Sequence, residues 1–350
     1  MINAESLVFY KQRFVWLISL GLAIALCFAC SVKNNLGETV ADNLYLPPRQ
    51  DFRIVVISDL NSQYGSTEYE PEVKKAIALM SRWQPDLVLG GGDAIAGQKL
   101  SLPKSQIKAM WQAFDRHVAE PLRQQKIPYG FTIGNHDGSG AIKNGNLIFQ
   151  QERELAKAYW NKYRDRIGLN FIDRANFPFY YSFQQNELFF LVWDASTHII
   201  SERQLAWVKQ TLNSNVARQA KTIIAIGHLP LYPVAATKNK PGEYLAGGDK
   251  LRSLLEQNGV QIYISGHHHV YYPGKKGKLE LLHAGALGQG ARQLIDSDLL
   301  PYPTVTVIDL DASSKLTYTT YNAKTWELIT LEQLPPAIVG EHGSILRCDL

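Results

Sequence analysis

Five largely apolar stretches of this chain stop in the same way. "VVISDLN" (55–61), "LVLGGGD" (87–93), "FTIGNHD" (131–137), "IIAIGHLP" (223–230) and "IYISGHHH" (262–269) each reach a Gly or Ser and then deliver Asp, Asn or His. A short continuous apolar run is the pattern of a strand buried on both faces. Helical spacing separates the runs. In "EPEVKKAIALMSRWQ" (70–84), Val73, Ile77 and Met80 share a face with Ala76, Pro71 suits a first turn and Pro85 stops the helix. Strand, helix, strand is a βαβ unit. The alternation continues through helices expected at 104–120, 146–163, 201–212 and 247–259, the third capped by Ser201 and striped by Leu205, Val208 and Leu212, the fourth closed by Gly259. Residues 179–194 read as a hairpin around Gln-Gln-Asn, and strands are expected at 279–285, 304–310 and 315–322.

The strand ends matter because α/β sheets bind ligands off the carboxyl ends of their strands. Asp59, Asn61, Asp93, Asn135, His136, Asp137, His228, His267 and His269 are thereby sent to one rim. Taken singly, an Asp after a strand is a turn or cap residue and a Gly-His pair is a polar turn. Five in series point to a site. Mixed Asp, Asn and His donors suit divalent Mn, Fe, Zn or Ni, and neither calcium nor a thiolate centre.

Other classes are excluded or weakened. Two of the three cysteines, Cys27 and Cys30, lie in the N-terminal apolar segment, which leaves Cys348 alone and rules out a disulfide framework or a cysteine zinc site in the globular part. Charged residues are 19% of the chain, the net charge is +4, and no dense basic patch is interleaved with aromatics, so no specific nucleic-acid partner is expected and a nuclease is disfavoured. Residues 14–30 carry no charge and follow Lys11 and Arg13. That is a signal peptide or signal anchor, predicting a domain exported or membrane-anchored outside the cytoplasm, with Cys30 a candidate lipid-attachment residue. The expected layout is signal segment 1–33, linker 34–50, a domain over 51–322 and a C-terminal tail 323–350 that carries no functional signal. Weaker candidates are Tyr64 at a substrate mouth, His283 behind the ligands, Arg292 toward a phosphate and His198 as pocket lining, each with an ordinary loop or surface role as the alternative; His117 and His342 read as surface residues.

The order Asp59-Leu60-Asn61, Gly92-Asp93, Gly134-Asn135-His136-Asp137, Gly227-His228 and Gly266-His267-His268-His269 resembles the calcineurin-like metallophosphoesterase superfamily over about residues 52–310. The resemblance implies an α/β fold, a four-layer sandwich of two mixed sheets flanked by helices. It implies that Asp93 bridges two divalent ions, that Asp59 and His269 complete the first site, and that Asn135, His228 and His267 complete the second. His136, held by Asp137, becomes the general acid or transition-state stabiliser, and His268 points elsewhere. The implied reaction is hydrolysis of phosphate mono- or diesters by a metal-bridging hydroxide, since metal-bound water ionises near pH 7. One position departs from the pattern. Asn61 stands where the family usually has histidine, which predicts a first metal site that is weak, that prefers manganese or magnesium, or that is absent. That keeps alive a second reading: a catalytically weak protein of the same fold that binds a phosphorylated ligand or partner. Substrate identity and oligomeric state are not encoded in any motif.

Overall fold

A computed structural model describes residues 44–61 and 63–350; the expected signal segment and most of the linker lie outside the described residues. No helix among the described residues is long and apolar enough to cross a membrane. The strands in chain order are β1 (Phe52–Ile57), β2 (Leu87–Gly90), β3 (Tyr129–Phe131), β4 (Ile142–Lys143), β5 (Asn146–Leu147), β6 (Asn170–Asn176), β7 (Tyr180–Gln185), β8 (Leu188–Val192), β9 (Thr222–Ile226), β10 (Val260–Ser265), β11 (Tyr272–Lys276), β12 (Leu279–His283), β13 (Thr304–Leu310), β14 (Leu316–Asn322), β15 (Ala337–Gly340) and β16 (Gly343–Arg347).

They form two mixed sheets and a small hairpin. The first sheet has the order β14-β13-β1-β2-β3, the second β15-β16-β11-β12-β10-β9-β8-β7-β6. Within the first, β1, β2 and β3 run parallel; within the second, β8, β9, β10 and β12 do. These are largely buried runs, and helices connect β1 to β2, β2 to β3, β8 to β9 and β9 to β10. Helix Pro71–Trp83 follows β1 and buries Val73, Ala76, Ile77 and Met80. Helix Glu202–Leu212 follows β8, with the Ser201 hydroxyl accepting from the Gln204 N–H. The sheets are stitched together directly: the Tyr181 hydroxyl on β7 donates to the Phe131 carbonyl on β3 at 2.6 Å and accepts from its N–H at 3.1 Å. At the opposite end of β1 the ladder register places Arg53 across from Asp309, and their side chains meet at 2.9 Å in a buried ion pair.

Three local differences from the sequence expectation have plain causes. The helix expected from residue 146 begins at Gln150, because Asn144-Gly145 folds a two-residue turn with φ of 51° and 80° that pairs β4 with β5. Strand β6 is rich in polar residues and so gives no apolar signal; it is an edge strand, and its pairing is interrupted by register shifts. The segment set apart as a tail contributes β15 and β16, and β16 pairs with β11 to extend the larger sheet.

Candidate metal centre

Each sheet contributes half of the donors. The first sheet sends Asp59 from the end of β1, Asp93 after β2 and Asn135 after β3; the second sends His228 after β9 and His267 and His269 after β10. Two buried triads result, Asp59–Asp93–His269 and Asp93–His228–His267, with the donor atoms of each within 4.8 Å of one another. Asp93 belongs to both. The four residues Asp59, Asp93, His267 and His269 sit in left-handed backbone, at φ of 52°, 53°, 65° and 54°. Such a conformation costs roughly 1–3 kcal/mol per non-glycine residue and persists where surrounding packing dictates it. Gly134 explains the closeness of the approach: a Cβ there would lie 2.1 Å from Asp93 Oδ1 and 2.3 Å from its backbone nitrogen.

Hydrogen bonds aim the donors. His228 donates from Nδ1 to the Gly91 carbonyl at 2.8 Å, which leaves Nε2 facing Asp93 Oδ2 at 3.1 Å and Asn135 Oδ1 at 3.0 Å. His269 donates from Nδ1 to the Gly290 carbonyl at 2.9 Å, leaving Nε2 at 3.0 Å from Asp59 Oδ1. Asn135 donates its amide N–H to Gln98 Oε1 at 2.6 Å and so turns its carbonyl oxygen inward. Ser58 donates to Asp59 Oδ2 at 2.6 Å. This is the outer-shell support that fixes tautomer and rotamer in metal sites. His267 differs: its Nε2 meets Glu243 Oε2 at 3.0 Å, which leaves Nδ1 as its free donor atom. Lys238 also reaches that carboxylate, at 2.6 Å.

The electrostatics favour a cation. Burial opposes charge on His228, yet the Asp93 carboxylate outweighs burial and lifts its pKa to about 9. Burial likewise opposes the charge on Asp93, and the imidazoles overturn it and push the carboxyl well below its ordinary range. The potential that draws a proton onto a fully buried imidazole draws a metal ion more strongly, and the set of two carboxylates, an amide oxygen and three imidazoles has the donor chemistry of a divalent transition metal. The residues present therefore fit such ions.

The remaining predicted residues fall into place with two changes. Asp137 does not hold the His136 ring. Its carboxylate accepts the backbone N–H groups of Ile95 at 3.0 Å and Gly134 at 2.8 Å, bracing the two loops that carry Asp93 and Asn135. Burial, with the Asp93 charge next, lifts its pKa to about 7. The His136 ring is instead 3.3 Å from the Gly97 carbonyl through Nδ1, with Nε2 at 3.9 Å from Asp93 Oδ2. Asn61 is buried beside the rim, but its amide is engaged in its own loop, donating to the Ser66 carbonyl at 3.0 Å and accepting from the Gln63 N–H at 3.3 Å.

His268 is turned away. Its Nδ1 accepts from the Val234 and Ala235 N–H groups at 3.2 and 3.4 Å and its Nε2 donates to the Glu243 carbonyl at 3.0 Å, so it is a neutral structural pillar. Tyr64 lies against His136, with ring centroids 5.2 Å apart. His283 is buried 6.5 Å from the His268 ring without a hydrogen-bond partner among the described residues. The Arg292 backbone N–H donates to the His269 carbonyl at 3.0 Å. His117 and His342 pack on Tyr69 and Tyr244, and the backbone carbonyl of His198 accepts from Ala246. Glu243 and Gln98 had no signal in the sequence beyond being polar loop residues.

No curated protein matches the chain in sequence. Among solved structures, the purple acid phosphatase PPD1 from yellow lupin seeds is similar, with 16% identity and a TM-score of 0.60 over 82% of this chain and 54% of that one. The chain thus spans about half the length of that phosphatase. GAP50, the anchor in the inner membrane complex of Plasmodium, aligns with 14% identity and a TM-score of 0.49 over 80% of this chain and 87% of that one. A model of the calcineurin-like phosphoesterase family matches residues 52–271, which include every donor of both triads, and the chain belongs to that family.

Proposed function

We propose that this chain is a metal-dependent phosphohydrolase acting on small-molecule phosphate mono- or diesters. The observation that supports it most is the sharing of Asp93 between two buried triads. Asp59, Asp93 and His269 would hold one divalent ion, and Asp93, Asn135, His228 and His267 the other. Bound there, divalent ions supply Lewis acidity toward phosphoryl oxygens and a water acidic enough to ionise near neutral pH.

The chain's own residues do the rest. Asp137 braces the Asp93 and Asn135 loops through two backbone N–H groups. The His136 backbone N–H donates to Asp93 Oδ1 at 2.8 Å and fixes that carboxylate. The Gly97 carbonyl takes the Nδ1–H of the His136 ring, so Nε2 is turned toward the site, and the protonated ring can pass its Nε2 proton to the leaving oxygen. Such help is worth about 10²- to 10⁴-fold. The test is hydrolysis of p-nitrophenyl phosphate and bis-p-nitrophenyl phosphate with added manganese, alongside His136→Ala, which should lose most turnover and keep its metal. No turnover with any metal would sink the proposal.

A second reading, a metal-loaded protein that binds a phosphorylated ligand without turning it over, draws on Asn61, whose amide is spent within its own loop. Metal content together with the same hydrolysis assay separates the two. We further propose that the domain works outside the cytoplasm, on the strength of the uncharged run 14–30 behind Lys11 and Arg13. Recovery of the protein in the cytosolic fraction would overturn that placement.

A further inference from the structure

The strongest further feature is the turn at Gln63–Ser66 beside Asn61. Tyr64 is 54% exposed, yet its described neighbours Gln63, Gly65 and Ser66 are each hydrogen-bonded through the backbone. Asn61 donates its amide N–H to the Ser66 carbonyl at 3.0 Å and accepts from the Gln63 N–H at 3.3 Å. Ser66 N–H donates to the Gln63 carbonyl at 2.8 Å, and Gly65 N–H donates to the Ala96 carbonyl at 2.9 Å. Gln106 donates to the Gly65 carbonyl at 2.5 Å. Gly65 itself has a φ of +79°, and a Cβ there would meet Leu102 at 2.8 Å. The result is a large aromatic ring carried at the surface on a hydrogen-bonded turn, 5.2 Å from the His136 ring and inclined to it by 46°. A tyrosine has only two side-chain torsions to fix and so loses little entropy on binding, which is how aromatic contact residues in recognition sites operate.

We propose that Asn61 and Tyr64 form a substrate-recognition element. Asn61, at the position where imidazole is otherwise expected, clamps the turn, and Tyr64 presents a stacking face beside the leaving-group side of the site. The preferred substrate is a phosphate ester whose organic part carries a planar ring close to phosphorus, as an aryl group or a nucleobase. This rests on the phosphohydrolase reading, because His136 is what marks the leaving-group side. Tyr64 is the contact residue and Asn61 a positioning residue that acts through it. The departure from the family pattern at Asn61 then has a role: a metal-facing imidazole is replaced by a turn clamp.

The test measures binding of phenylphosphonate and methylphosphonate to the manganese-loaded full chain in detergent, neither ligand being a hydrolysable ester. Phenylphosphonate should bind about tenfold more tightly, the scale of one aromatic stacking contact. Tyr64→Phe should keep the preference, whereas Tyr64→Ala and Asn61→Ala should bring the ratio of dissociation constants close to one. A ratio near one in the unsubstituted protein, or one unmoved by Tyr64→Ala, overturns the stacking face; a ratio unmoved by Asn61→Ala overturns the clamp. Hydrolysis of phenyl phosphate, glycerol 2-phosphate and adenosine 5′-monophosphate in parallel keeps the two readings apart. Preference without turnover retires the hydrolase and keeps the recognition element; turnover without preference does the reverse. Adenosine monophosphate favoured over phenyl phosphate would assign the face to a nucleobase, and the opposite order to an aryl ester.

Discussion

The Glu243 carboxylate lies 3.0 Å from Nε2 of His267, and the carbonyl of the same residue lies 3.0 Å from Nε2 of the next residue, His268. Two adjacent imidazoles thus grip one glutamate, one by its side chain and one by its backbone. The carboxylate is pulled down to about 2, by the hydrogen bond from His267 first, against burial, with Lys238 adding to it. It stays ionised at any working pH and holds the His267 ring with Nδ1 free.

Removing that carboxylate should loosen a ligand without unfolding its loop, since the backbone bond to His268 remains. Glu243→Gln and Glu243→Ala are expected to weaken metal binding at the Asp93–His228–His267 triad by about 10- to 100-fold. Chelator competition on the metal-free protein reads the affinity directly. An affinity equal to that of the unsubstituted protein would show that Glu243 does not orient His267.

Sharing of Asp93 predicts an asymmetry in metal content. Asp93→Ala should empty both triads, whereas Asp59→Ala should remove one ion and leave the His228–His267 side loaded. Elemental analysis of the purified variants distinguishes these outcomes. Equal losses in the two variants would mean that Asp93 does not bridge.

Gly134→Ala should be more damaging than its size suggests. Its Cβ would fall 2.1 Å from Asp93 Oδ1, so either the loop or the carboxylate must move. A displacement of about 1 Å costs about 10²-fold in rate where alignment matters. Steady-state kinetics of the folded variant, with folding verified by circular dichroism, is the check; near-normal turnover would mean the loop yields elsewhere.

His283 predicts how stability depends on pH. Burial alone pushes its pKa from the ordinary 6.5 down to about 3, and neither ring nitrogen has a hydrogen-bond partner among the described residues. The folded state holds the ring neutral while the unfolded chain protonates it. Its contribution is therefore complete above about pH 6.5 and is lost as pH falls toward 3, by about 1.4 kcal/mol per pH unit. His283→Leu should remove that loss. Urea unfolding of metal-free protein at pH 7.5 and 5.5 should show the unsubstituted chain losing about 1.4 kcal/mol more than the variant; equal losses would place the titration elsewhere, as on the similarly buried His268.

Much of the centre could be read from single stretches because each ligand directly follows a buried strand. Asp59, Asp93, Asn135, His228, His267 and His269 stand two to four residues beyond runs whose burial is encoded by their apolarity, and the carboxyl ends of such strands gather their loops at one edge. Glu243 offers no such handle. It lies in an irregular loop before helix Gly248–Gln257, 24 residues from His267, and the pair meets only in the fold, where the same loop also accepts from His268. Asp137 was legible as a site residue but not in its task, because Asn-His-Asp in sequence does not say whether a carboxylate bonds a ring or the backbone of another strand's loop.

Alone, the sequence determined the alternation of buried strands and helices, the identity of the metal-capable residues and their departure from pattern at Asn61. These depend on side-chain polarity and on turn chemistry within a few residues. The tertiary structure decided which donors share an ion, which nitrogen of each imidazole is free, and what Asn61 and Glu243 do. Those are relations between two sheets and the loops above them, set by how distant segments pack.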